Sequence, residues 1–134
     1  MITGSSGSGE DSKHSFSVLV VEDETVARWA LNKLLTRSGY QTTSVGSGEE
    51  ALRFLKQNEG PNIALVDLDL PGIDGAELIR RLRNLSPATH AVIMTATSAE
   101  RVGELLHDQS VPYLRKPLDF RALLHVLSQQ MRPC

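Results

Sequence analysis

Cysteine is nearly absent from this sequence. The sole one, Cys134, ends a chain of 134 residues, so no intramolecular disulfide can form and a reducing, cytoplasmic setting is the expectation. An excess of one charge is lacking too. With 14 Lys and Arg against 16 Asp and Glu, the formal net charge of −2 argues against general nucleic-acid binding and gives no support to a membrane-surface role. No apolar stretch approaches the roughly 18 residues that span a bilayer, and the first residues lack the apolar centre of a secretory signal. No internal repeat is visible. These absences leave a soluble chain whose length suits one domain, since roughly 100 to 150 residues bury one adequate core.

The run from Gly4 to Gly9 contains only Gly and Ser and has nothing to bury, so residues 1–15 read as a disordered linker or expression tag. Residues 16–131 are the expected domain. There, short β-branched runs alternate with helical patterns, which is the signature of βα units on a parallel sheet. Strands are expected at Ser17 to Val21, Gln41 to Val45, Ile63 to Val66, Ala91 to Met94 and Tyr113 to Lys116. The second is polar, as an edge strand should be, and Pro112 places the fifth at an edge as well. Five helices fill the gaps. The first carries Ala27, Ala30, Leu31, Leu34 and Leu35 on one face before Gly39, and the second begins at a capping box of Ser47 and Glu50 and buries Ala51, Leu52 and Leu55. The third buries Leu78, Ile79, Leu82 and Leu85, and the fourth, Glu100 to His107, has a thin stripe of Val102, Leu105 and Leu106. The last is capped by Asp119 and buries Phe120, Leu123, Leu124 and Leu127. Right-handed crossovers leave few arrangements for such a chain. The α/β class expected is a flavodoxin-like, doubly wound, five-stranded parallel sheet in the order 2-1-3-4-5, with a crevice between strands one and three.

Both of those strands end in acid. The first runs into Glu22, Asp23 and Glu24, and the third into Asp67 and Asp69, followed by turn residues Pro71, Asp74 and Gly75. Carboxylates delivered together to one edge of a sheet repel one another unless a cation joins them.

Taken in order, Glu22-Asp23 after strand one, Asp67 with Pro71 and Asp74-Gly75 after strand three, Thr95-Ala96 after strand four, Tyr113, and Lys116-Pro117 after strand five make this chain resemble the receiver domain of bacterial two-component response regulators. The resemblance implies that Asp67 accepts a phosphoryl group from the phosphohistidine of a sensor histidine kinase or phosphotransfer protein. It implies Mg²⁺ held by Asp23, Asp67 and the backbone carbonyl of Asp69, with Glu22 acting through water. Many relatives carry Asp where this chain has Glu22. Lys116 would pair with Asp67 and later with the phosphoryl oxygens, and Thr95 and Tyr113 would form the switch. The face made by the fourth helix, the fifth strand and the fifth helix would then control an output domain or partner protein in transcription regulation, or drive a phosphorylation-dependent homodimer. No separate enzyme substrate, direct nucleic-acid contact or membrane contact is expected of such a domain.

Two other readings compete with this one. Val66-Asp67-Leu68-Asp69 also resembles the nucleophile strand of haloacid-dehalogenase-like phosphatases, although that motif belongs on a first strand and Pro71 stands where Thr or Val is expected. A pseudo-receiver that binds partners without accepting phosphate usually loses the acids or the lysine, which this chain keeps. Among the remaining residues, His14, His90, His107 and His125 have no metal-ligand spacing. Arg80, Arg81 and Arg83 read as a solvated helix face. Trp29 falls off the apolar stripe of the first helix and is either a partly exposed packing residue or part of a kinase-docking surface. The segment Asp108 to Pro112 replaces the small turn of many receivers and should stiffen the approach to Tyr113.

Overall fold

A computed structural model describes residues 16–96, 98–106 and 111–131. The linker at 1–15 with His14, and His107, Asp108 to Ser110 and Cys134, lie outside the described residues, as do the side chains of Leu105 and Leu106. Strands and helices alternate: β1 (Ser17–Val21), α1 (Thr25–Arg37), β2 (Gln41–Val45), α2 (Gly48–Gln57), β3 (Ile63–Asp67), α3 (Gly75–Leu85), β4 (His90–Thr95), α4 (Ala99–Leu106), β5 (Tyr113–Arg115) and α5 (Phe120–Gln130). All strand pairs are parallel, in the order β2-β1-β3-β4-β5. This is the expected doubly wound sheet, and its strand order reverses between β1 and β3.

The alternation of each strand sends its residues to two cores. Val18, Val20, Ile63 and Leu65 meet Leu31 and Leu35 of α1 and Leu123 and Leu127 of α5 on one face. On the other, Leu19, Val21, Ala64 and Val66 meet Ala51, Leu52 and Leu55 of α2 and Leu78 and Leu82 of α3. Each such side chain contributes about 1.5–3 kcal/mol by leaving water. A smaller cluster joins Val102 of α4 to Ile79, Ile93 and Val111. The edge strand β2 shows no fully buried residue, matching its polar sequence.

Local signals hold where their geometry can be checked. Gly39 ends α1 with φ 99°, and the Asp119 carboxylate accepts from the amides of Arg121 and Ala122. The capping box is shifted by one residue. Ser47 Oγ accepts from Glu50 N, but the Glu50 carboxylate reaches back to Gly46 N at 2.6 Å. Two expected core residues are not in the core. Leu85 is 43% exposed and Phe120 is 45% exposed, and each is the terminal residue of its helix, with fewer neighbouring turns to cover it. Among the described residues, no helix is long and apolar enough to cross a membrane.

Candidate functional site

The parallel register aligns the strand ends. Val21 pairs with Val66, so Glu22 emerges beside Asp67, while Thr95 closes β4 opposite Arg115 and Lys116 follows directly. A backbone bond from Lys116 N to Thr95 O (2.8 Å) keeps that lysine at the crevice. Its side chain then crosses the carboxyl end of the sheet. Lys116 Nζ donates to Asp67 Oδ2 at 2.8 Å and to Glu22 Oε1 at 3.1 Å.

Both acids are taken out of solvent, Glu22 to 1% and Asp67 to 3% exposure. Their other oxygens are occupied as well. Asp69 N donates to Asp67 Oδ1 (2.9 Å), and Glu24 N donates to Glu22 Oε2 (3.1 Å). Burial pushes the Glu22 carboxyl above its usual range and the nearby Asp67 charge adds to this, opposed by the Glu24 amide and Lys116. Burial alone would lower the pKa of Lys116, but its hydrogen bonds to Asp67 and Glu22 outweigh that and raise it. The lysine is therefore held as a cation between two acids.

Asp23 differs from both. It is exposed, its carboxylate has no hydrogen-bond partner among the described residues, and one of its oxygens lies within 4.8 Å of oxygens of Glu22 and Asp67. Three carboxylates offering hard oxygen atoms suit a small divalent cation such as Mg²⁺. Both oxygens of Glu22 and both of Asp67 already accept hydrogen bonds, so of the three carboxylates Asp23 has the most open coordination positions. Thr95 is fully buried, with its hydroxyl 3.5 Å from Asp69 Oδ2, whereas Tyr113 is exposed on the edge strand. His90 and His125 are exposed and outside the cluster.

Three further residues shape this site. Gly75 packs against the backbone of Asp67 and Leu68, Glu49 accepts from Ile73 N (3.3 Å), and Arg28 reaches from α1 into the loop that carries Glu22 and Asp23. Of these, only Gly75 belonged to a sequence motif. Arg28 lies on the first turn after the acids, and that offset is the signal that could have marked it.

A model of the response regulator receiver domain matches residues 18–128. The chain belongs to the response regulator receiver domain family. Among curated relatives, response regulator protein FleR of Pseudomonas aeruginosa is 34% identical over 113 residues, covering 84% of this chain and 24% of FleR. The DNA-binding transcriptional regulator NtrC of Klebsiella pneumoniae is 32% identical, covering 83% of this chain and 25% of NtrC. The receiver thus spans about a quarter of the length of these relatives. Sporulation initiation phosphotransferase F of Bacillus subtilis is 30% identical, covering 76% of this chain and 82% of that protein. Among solved structures, response regulator TrrA of Thermotoga maritima in complex with Mg²⁺-BeF superposes with a TM-score of 0.77 at 26% identity, covering 87% of this chain and 99% of the other. Asp67 stands at the end of the third strand, whereas the phosphatase alternative expects its motif on a first strand.

Proposed function

We propose that this receiver, residues 16–131, is a phosphorylation-activated switch in which Asp67 takes a phosphoryl group from the phosphohistidine of a sensor histidine kinase or phosphotransfer protein. The observation that carries the reading is Lys116 Nζ bridging buried Asp67 and Glu22, with the Asp23 carboxylate beside them. A carboxylate oxygen of Asp67 attacks phosphorus as the N–P bond breaks, and the electron pair leaves with the histidine nitrogen. Asp23, Asp67 and the main-chain carbonyl of Asp69 would hold Mg²⁺, with Glu22 acting through water. When bound, the ion neutralises charge on the phosphoryl oxygens during in-line transfer. Lys116 releases its contact with Asp67 and pairs with the phosphoryl group as a compact point charge. The donor would approach over the apolar groove of Ala27, Ala30, Leu31, Pro117, Leu118 and Phe120, which borders Glu22 and Lys116. Trp29, 63% exposed, is on the same helix.

Intact-mass measurement with acetyl phosphate should show one added phosphoryl group in the parent, dependent on Mg²⁺ or Mn²⁺, and none in Asp67→Ala. Equal labelling of both proteins would remove Asp67 as the acceptor. Slow self-hydrolysis and negligible turnover of small phosphate esters are expected in the same assay, and ester turnover near 1 s⁻¹ would favour a phosphatase.

The response would pass through Thr95 and Tyr113 to the face of α4, β5 and α5, changing self-association or contact with an output domain in transcription regulation. Tyr113 is exposed on β5 and Thr95 is buried at the end of the neighbouring β4, so the proposed link runs between adjacent strands. The added charge of roughly −1.5 to −2 biases the equilibrium only through its differential interaction with the two states. Thr95→Ala should therefore accept phosphate yet lose most of the response. Hydrogen exchange and sedimentation with and without beryllofluoride check this, and a full response in Thr95→Ala would reject Thr95 as the link.

A further inference from the structure

The β1–α1 loop carries two of the three clustered carboxylates, and one side chain closes it from outside the cluster. Arg28 Nη1 donates to Glu22 O at 2.8 Å and to Asp23 O at 3.3 Å, while the amide of the same residue donates to Glu24 O at 2.9 Å. Arg28 thereby ties down three successive carbonyls at the start of α1. The guanidinium is half-buried and lies in an open polar cavity shared with Asp23, Ser44, Gly46, Ser47 and Glu50. Gly46 leaves it room, since a Cβ there would sit 3.1 Å from Nη1 and 3.6 Å from Cζ.

We infer that Arg28 is a positioning residue for the metal step. By fixing the main chain of Glu22 and Asp23 it aims their carboxylates at the position beside Asp67, without itself touching metal, phosphoryl group or acceptor. This rests on the proposed Mg²⁺ binding by Asp23 and Asp67. The charge of Arg28 acts in the opposite sense from its hydrogen bonds. A cation next to a cation site weakens Mg²⁺ binding by repulsion, whereas hydrogen bonds that orient ligand groups strengthen it, and their loss weakens metal affinity by roughly 10- to 100-fold.

The opposed signs make the test decisive. MgCl₂ would be titrated calorimetrically into the parent, Arg28→Met, Arg28→Lys and Gly46→Ala at fixed ionic strength, beside urea unfolding without divalent ions. The Kd for Mg²⁺ should rise roughly tenfold in Arg28→Met. It should rise less in Arg28→Lys, which keeps a donor, and in Gly46→Ala, which only crowds the guanidinium. Acetyl-phosphate labelling should need more Mg²⁺ for half-saturation in these variants but reach the parental extent when saturated. Tighter Mg²⁺ binding in Arg28→Met would show that Arg28 acts only as a charge, and an unchanged Kd with lowered stability would show that it only holds the fold. Either result overturns the inference. Should Arg28→Met fail to fold, Arg28→Lys and Gly46→Ala carry the comparison, and parental Kd values in both would overturn it. A parent that does not bind Mg²⁺ removes the metal reading itself, and this inference with it.

Discussion

Lys116→Met should destabilise the domain by about 3 kcal/mol at pH 7, because it removes the cation shared by two buried carboxylates while keeping a side chain of similar length. The parent geometry sets the scale. Lys116 Nζ lies 2.8 Å from Asp67 Oδ2 and 3.1 Å from Glu22 Oε1, and its own side chain stays 30% exposed, which places the loss at the lower end of the range for a broken buried pair.

The pH dependence follows from the two shifts. Glu22 titrates above 4.5 in the folded protein, mainly through burial, so the folded state holds this proton more tightly than the unfolded chain does. Its ionisation therefore opposes folding as pH rises through that window. Without Lys116 its pKa climbs further, and the deficit of the variant should shrink as pH falls toward 4.5 and Glu22 takes up its proton. Lys116 titrates above 10.5, so its stabilising contribution is complete below that value and is lost as pH rises through the raised pKa. Urea unfolding of both proteins at pH 5, 7 and 7 with Mg²⁺ measures this, with Mg²⁺ expected to recover part of the loss. Equal stability at pH 7, or a deficit that grows on acidification, would mean that the lysine is not the counter-charge.

Gly75→Ala should damage the acceptor loop more than any other single added methyl group in this region. A Cβ at Gly75 would lie 2.5 Å from Leu68 Cα and 2.6 Å from Asp67 O, both main-chain atoms that no rotamer change can move. The close approach arises because Gly75 N donates back to Leu68 O at 3.2 Å, which folds the first residue of α3 onto the end of β3. Overpacking of this kind costs about 1–3 kcal/mol. The movement that relieves it displaces Asp67 from Lys116. A lowered melting temperature together with slower acetyl-phosphate labelling is the expected pair of results. Parental values for both would show that the loop yields without disturbing the acceptor.

The strands that carry the site were legible because each is a short run of β-branched and aliphatic residues that ends in a polar one. Val18 to Val21 and Ile63 to Val66 are buried along their length, and only a sheet covered by helices on both faces accommodates that pattern. Helix ends were less legible. Leu85 and Phe120 fit the apolar periodicity but are the terminal residues of their helices and stay exposed, and periodicity carries no information about where the covered surface stops.

By itself, then, the sequence determined the βα alternation, the strand order and the identity of the residues at strand ends, since these follow from local patterning and from the handedness of crossovers. Only the tertiary structure decided that Lys116 satisfies Glu22 as well as Asp67, and that Asp23 alone of the three clustered acids keeps its carboxylate without a partner among the described residues. It also decided that Arg28 closes the first acidic loop and that Gly75 is required by a backbone contact with Asp67 and Leu68. These contacts depend on distances of a few ångströms between loops far apart in the chain. Parallel register brings those loops together, and no spacing along the sequence encodes the side-chain directions that complete them.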